Sequence, residues 1–264
     1  MAESVGRVLI IAGSDSGGGA GVQADIKTVT VLGGYAASAI TAVTVQNTLG
    51  IWGVHPVAAE VVEDQVRAVL ADIGADAIKI GMLGGAAEAV AGVLADWPDI
   101  PVVLDPVLAA KDGTRLAGEA ENAALRRWLL PRASLLTPNA PEASALTGLT
   151  VTTTDDLRRA GEALLAAGCQ AVLMKGGHIP GRRVVDLLIT GDGETSFEGP
   201  RIASRHTHGT GCTLASACAV GLAQGLTLEA AVSRAWGYTA EAIRRAPGLG
   251  AGAGPLDHGW PLRR

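Results

Sequence analysis

Short apolar runs of strand length alternate with amphipathic stretches of helix length along nearly the whole chain, and this alternation limits the fold more than any other feature. "RVLIIAG" reads as a buried strand, and "AGVQADIKTVTVLGG" as a helix ending at Gly33-Gly34. "AASAITAVTVQN" is a second strand region. "VAAEVVEDQVRAVLADIG" is a helix with Val62, Val66, Val69 and Leu70 along one side. "DAIKIGM" and "PVVLDPV" read as strands around the helix "AAEAVAGVLADW", and "ASLLTPN" and "QAVLMKGG" as strands around "TTTDDLRRAGEALLAAG". That last helix has a Thr cap, early Asp155 and Asp156, and a stripe of Leu157, Gly161, Leu164 and Leu165. "RVVDLLITGDGETSFEG" reads as a hairpin turning at "GDG". Two helices follow, from about Gly211 to Gln224 and from Leu228 to Arg245.

Strand–helix alternation predicts an α/β chain with a central, mostly parallel sheet and helices on both faces. No linker, repeat or low-complexity tract divides residues 1–264, so the expectation is one domain. Hydrophobic residues make up 48% and aromatics 3%, so an aliphatic core forms without disulfides. A net charge of −5 gives no footprint for nucleic acid. Cys169, Cys212 and Cys218 form no CxxC pair, which argues against a disulfide framework or a zinc site and for a reducing compartment. No segment approaches the roughly 20 apolar residues of a membrane span. The first apolar run enters a glycine loop, not a signal-peptide layout. The expectation is a cytoplasmic protein that binds neither nucleic acid nor membrane.

Ligands in such sheets gather at the carboxyl ends of the strands, so polar residues there carry the interest. Gly13-Ser-Asp-Ser-Gly-Gly-Gly-Ala-Gly21 follows the first strand. It lacks the Lys-Ser/Thr of a P-loop and the register of a dinucleotide fingerprint, but its backbone can approach a ligand closely. Asp105, closing "PVVLD", suits Mg²⁺ and equally suits a capped turn. Asn139 and Glu142 have capping-box spacing, which also sets an amide oxygen beside a carboxylate, as a hard cation requires. Lys175, beside Gly176-Gly177, suits phosphate oxygens or a strand-end lysine reaching solvent. Lys79 lies inside an apolar run without an assignable role.

"HTHGTGCT" stands before a helix that is apolar nearly all round. Gly209, Thr210, Gly211 and Cys212 would form its first turn, where open N–H groups and the helix dipole favour an anion. A thiol there is expected to ionise more readily than usual. Cys169 and Cys218 read as plain core residues. Lysine, carboxylates, anion hole and glycine loop together fit a Mg²⁺-ATP kinase of a small molecule.

"AGSDSGGGAGVQADIKT", "TAVTVQNT", "IKIGML", "LDPVLAAKDG", "LLTPNAPEA", "MKGGH" and "HGTGCTLASA" occur in that order across nearly the whole chain. They resemble the bacterial hydroxymethylpyrimidine/phosphomethylpyrimidine kinases of thiamine biosynthesis, in the ribokinase-like superfamily. The resemblance implies a three-layer α/β/α fold and two successive ATP-dependent phosphorylations, with Mg²⁺, in a homodimer. It implies that Gln46 hydrogen-bonds the aminopyrimidine edge, and that Gly13, Ala20 and Met82 line the substrate pocket. Asn139 and Glu142 would organise Mg²⁺ and phosphate, with Asp105 a further metal candidate. Lys175 would contact phosphate, and Gly209 to Cys212 would form the anion hole. Cys212 stands where related sugar kinases carry an aspartate base, so it is either a base or a group that shapes the hole. His206, Leu108 and Asp112 depart from the commonest family residues, and Asp112 bears on any role for Lys111. Two rival readings are a pyridoxal/pyridoxine kinase on the same scaffold and a non-catalytic binder of phosphorylated ligands.

Overall fold

The computed structural model describes residues 5–108 and 118–263, so Lys111 and Asp112 lie outside the described residues. Nine strands form one sheet in the order β3-β2-β1-β4-β5-β6-β7-β8-β9. They are β1 (Arg7–Asp15), β2 (Tyr35–Asn47), β3 (Gly50–Pro56), β4 (Ala77–Ile80), β5 (Val102–Leu104), β6 (Leu135–Leu136), β7 (Ala171–Met174), β8 (Arg183–Thr190) and β9 (Gly193–Pro200). β2, β1, β4, β5, β6 and β7 run parallel to one another. β3, β8 and β9 each pair antiparallel at the two margins. The helices are α1 (Gly21–Val31), α2 (Ala59–Asp72), α3 (Ala87–Leu94), α4 (Glu119–Ala124), α5 (Ala140–Thr147), α6 (Thr154–Ala166), α7 (Thr210–Ala223) and α8 (Leu228–Arg244).

Strand parity builds the three layers, because successive side chains point to opposite faces. Leu9, Ile11, Ile78, Ile80 and Leu104 pack under α2, α3, α5 and α6. Val8, Ile10, Val103 and Leu173 pack under α1, α7 and α8. The expected three-layer α/β/α arrangement is therefore what the chain adopts. The stripe on α6 is buried at Leu157, Gly161 and Leu164 and half-buried at Leu165. Cys169 and Cys218 are buried in the two cores, as expected.

Two elements lack a clear signal in the sequence. β3, "GIWGVHP", carries two glycines and a terminal proline, so it is called into strand form by pairing with β2. α4 has six residues and buries none of them. Parity also explains Lys79. It shares β4 with Ile78 and Ile80 but points to the other face, where α1 and α7 lie. There its ammonium, with 0% side-chain exposure, pairs with Asp25 of α1 at 2.8 Å. Ser216 of α7 donates to the other oxygen of Asp25 at 2.7 Å.

Candidate active site

The carboxyl ends of the parallel strands open into a cavity of about 1330 Å³. Gly13, Ala20, Gln46, Met82, Asp105, Asn139, Glu142, Lys175, Gly209, Thr210, Gly211 and Cys212 all line it. The fold thus gathers all twelve residues proposed from the sequence for catalysis, substrate, phosphate or metal. The reason is topological: Asp105 follows β5, Asn139 follows β6 and Lys175 follows β7, three adjacent parallel strands.

Lys175 is the electrostatic centre. Its Nζ donates to Asp105 Oδ1 at 2.9 Å and lies 3.8 Å from Glu142 Oε2. Thr137 also donates to Asp105 Oδ1, at 3.1 Å. Burial opposes the charge on Lys175, but Asp105 and Glu142 outweigh it and hold the lysine protonated. Burial likewise opposes ionisation of Asp105, and Lys175 and Lys79 overcome it, keeping this carboxyl below its usual range. Glu142 goes the other way. Burial, reinforced by the nearby Asp105 charge, pushes it up to about 7 despite Lys175. The capping box holds its geometry: Asn139 N–H donates to Glu142 Oε2 at 2.7 Å, and Glu142 N–H donates to Asn139 Oδ1 at 2.9 Å. Asp105 and Glu142 offer oxygen donors of the kind a hard cation takes, and Lys175 already neutralises part of their charge.

The first turn of α7 faces this cluster. Gly209 caps the helix with φ of +82°, and a Cβ there would also strike the Gly19 carbonyl. A Cβ on Gly211 would lie 3.1 Å from Lys175 Nζ and 3.4 Å from Asp105 Oδ2, so bare backbone presses against the charged pair. Thr210 N–H donates to Thr207 O at 3.4 Å, and the amides of Gly211 and Cys212 precede any intrahelical acceptor. Cys212 corrects one expectation. Burial pushes its thiol up to about 12, with Lys79 the main opposing influence, so the sulfur is protonated at neutral pH. Removal from water outweighs the helix terminus, and the Gly21 N–H that faces the sulfur does not reverse it.

At the other end, Gln46 and Met82 share the cavity with Asp15, Thr44 and His208, three residues that sequence reasoning did not single out. Asp15 organises the glycine stretch. Its Oδ1 accepts from Gly17 N–H at 2.8 Å, and its Oδ2 accepts from Gly19 and Ala20 at 3.0 and 2.8 Å. His208 Nε2 lies 3.0 Å from the same Oδ2. Burial raises the Asp15 carboxyl, but the His208 and backbone contacts more than offset this and hold it below its usual value. The third corner of the cavity has Asp186 and Trp236, also unforeseen. Asp186 accepts from Gly176 N–H at 2.7 Å and Trp236 Nε1 at 3.1 Å, which ties the turn after Lys175 to α8. The only local hints were a carboxylate inside the glycine stretch and a histidine before "GTGC"; Asp186 inside β8 gave none.

A family model described as Phosphomethylpyrimidine kinase matches residues 15–257. The hydroxymethylpyrimidine/phosphomethylpyrimidine kinase of Streptomyces coelicolor is 49% identical over 257 residues, which cover 97% of this chain and 95% of that protein. The thiamine biosynthesis bifunctional protein ThiED of Geobacter sulfurreducens is 48% identical over 255 residues, 96% of this chain. This chain spans 52% of that longer protein. Among solved structures, the ADP complex of Bacillus subtilis pyridoxal kinase superposes with a TM-score of 0.92 at 33% identity, over 99% of this chain and 100% of that one. A match over most of the length, with the motif residues converging on one cavity, places the chain in the phosphomethylpyrimidine kinase family.

Proposed function

We propose that the protein phosphorylates 4-amino-5-hydroxymethyl-2-methylpyrimidine with ATP, and then phosphorylates the monophosphate to the diphosphate. The observation that carries this reading is Lys175, held between Asp105 and Glu142 against the bare first turn of α7, in one cavity with Gln46. Phosphoryl transfer needs positioning and charge neutralisation more than covalent help. Lys175 and the amides of Gly211 and Cys212 hold the transferring phosphoryl group. Asp105 and Glu142 would hold Mg²⁺, which supplies charge neutralisation on the nucleotide phosphates when bound. Gln46 offers a donor and an acceptor together to the aminopyrimidine edge, with Gly13, Ala20 and Met82 closing the pocket around it. Cys212 adds to the anion hole its backbone N–H and a thiol that its surroundings raise above the ordinary range.

The deciding experiment is a Mg-ATP assay with the hydroxymethylpyrimidine, its monophosphate and pyridoxal, with products identified by mass. Conversion of the first two supports the reading, and conversion of pyridoxal alone overturns it. Pyridoxal phosphorylation is the second reading, favoured by the close superposition on a pyridoxal kinase. Steady turnover of any acceptor removes the remaining alternative, a binder without catalysis.

The same reading takes residues 1–264 as one kinase domain in a cytoplasmic homodimer. Free Cys169, Cys212 and Cys218 support a reducing setting. Among the described residues no helix is long and apolar enough to cross a membrane. The margin formed by β2 and β3 supports the dimer. There Val43, Val45 and Trp52 are 49%, 50% and 62% exposed, an apolar surface that a second copy would cover.

A further inference from the structure

Gln46 sits in a hydrogen-bond arrangement that is inconsistent as it stands. Its Nε2 lies 3.1 Å from His208 Nε2, and its Oε1 accepts from Thr44 Oγ1 at 3.1 Å. The same imidazole nitrogen lies 3.0 Å from Asp15 Oδ2. Asp15 is ionised and already accepts from Gly17, Gly19 and Ala20, so it can only accept. His208 Nε2 must therefore carry the proton. That sets an N–H of His208 against the NH₂ of Gln46, two donors face to face. The opposite tautomer fails as well, because it sets a lone pair against the Asp15 carboxylate.

Thr44 has a matching conflict. Its hydroxyl donates to Ser14 O at 3.0 Å and is also required to donate to Gln46 Oε1, with one proton for two acceptors. One half-turn of the Gln46 amide removes both conflicts, and the two ends of an amide exchange without any change of shape. Gln46 Oε1 then accepts from His208 Nε2–H, sharing that proton with Asp15 Oδ2 in a three-centre bond. Its NH₂ donates to Thr44 Oγ1, and the Thr44 proton goes wholly to Ser14 O.

We propose that the Asp15–His208 pair fixes the polarity of the Gln46 amide, and that His208 is thereby the positioning residue that selects an exocyclic amine over an aldehyde next to the reacting hydroxymethyl group. This rests on the reading that Gln46 faces the substrate edge. With the carbonyl locked on the His208 side, the pocket presents an acceptor there and a donor on the Thr44 side. The aminopyrimidine offers the complement, an amine beside a ring nitrogen. Pyridoxal offers a formyl oxygen in place of the amine, and two acceptors then oppose each other. Without His208 the amide is free to turn and serve either ligand.

The test compares kcat/KM for the hydroxymethylpyrimidine and for pyridoxal in the unaltered enzyme and in His208→Phe, which keeps a flat ring against Gly19 and loses the N–H. The preference for the pyrimidine should fall by about tenfold or more, the size expected when a polar mismatch is relieved in a buried site. An unchanged ratio, with both rates lowered in parallel, overturns the proposal. The protonation of His208 is read independently by nitrogen-15 NMR of the unaltered protein, so the proposal stays testable if the variant does not fold. A proton on Nε2 is required, and a bare Nε2 overturns it. If the unaltered enzyme does not turn over the pyrimidine, the functional reading fails, while the NMR result still decides which nitrogen of His208 carries the proton.

Discussion

Cys212 shows how one residue's chemistry depends on what surrounds it. A helix N-terminus alone would favour the thiolate, but burial pushes the thiol up to about 12. The group is therefore not a resting base. Cys212→Ala should lower both phosphorylations alike, by less than the roughly 100-fold that loss of a general base costs. Measurement of the two single-turnover rates checks this. Selective loss of the first step, whose acceptor is a hydroxyl, would make the thiol a base after all. Glu142 carries a second prediction. Its folded value of about 7 lies above its ordinary 4.5, so the folded protein holds this proton more tightly than the unfolded chain does. The associated stability is complete at pH below about 4.5 and is lost as pH rises through about 7. The melting temperature of the unliganded protein should fall across that window, and less steeply in Glu142→Gln. Asp186, raised to about 6 by burial, adds a slope of the same sign that the variant keeps.

Among the elements, α1, β4 and α7 are tied by one buried pair. Lys79 and Asp25 are both fully buried, and Ser216 completes the contact. The pair lies beneath both the glycine stretch that enters α1 and the turn that enters α7. Loss of one partner leaves a bare charge in the core, so Lys79→Met should cost about 3–5 kcal/mol of stability. Lys79→Met combined with Asp25→Leu should recover most of that, since apolar replacements of both partners are often neutral. Urea unfolding of the single and double variants decides it. An additive, larger loss in the double variant would show that the charges themselves stabilise the fold.

For the whole molecule, the exposed apolar margin at Val43, Val45 and Trp52 leads to a prediction about assembly. Val45→Lys with Trp52→Glu should convert a dimer to a monomer, as measured by light scattering on a sizing column. These side chains lie outside the cavity lining, so ligand affinity in the monomer should change little. An unchanged mass would place any dimer contact elsewhere. At this scale most of the fold was legible from the sequence. The long apolar strands and the capped, striped α6 carry their period within a few residues. β3 and α4 were not legible, because an edge strand with two glycines and a short helix without a fully buried residue take their form from neighbours.

The sequence by itself determined the strand–helix order apart from β3 and α4, the Asn139–Glu142 capping box and the motif residues that meet in the cavity. Those features depend on neighbours a few positions away. Tertiary structure alone decided that Lys79 pairs with Asp25 across 54 positions and His208 with Asp15 across 193. It also placed Cys212 and Glu142 where their surroundings raise both groups above their ordinary values. Desolvation and Coulomb interactions act through distance and burial, and both quantities come into existence only when the sheet brings remote segments together.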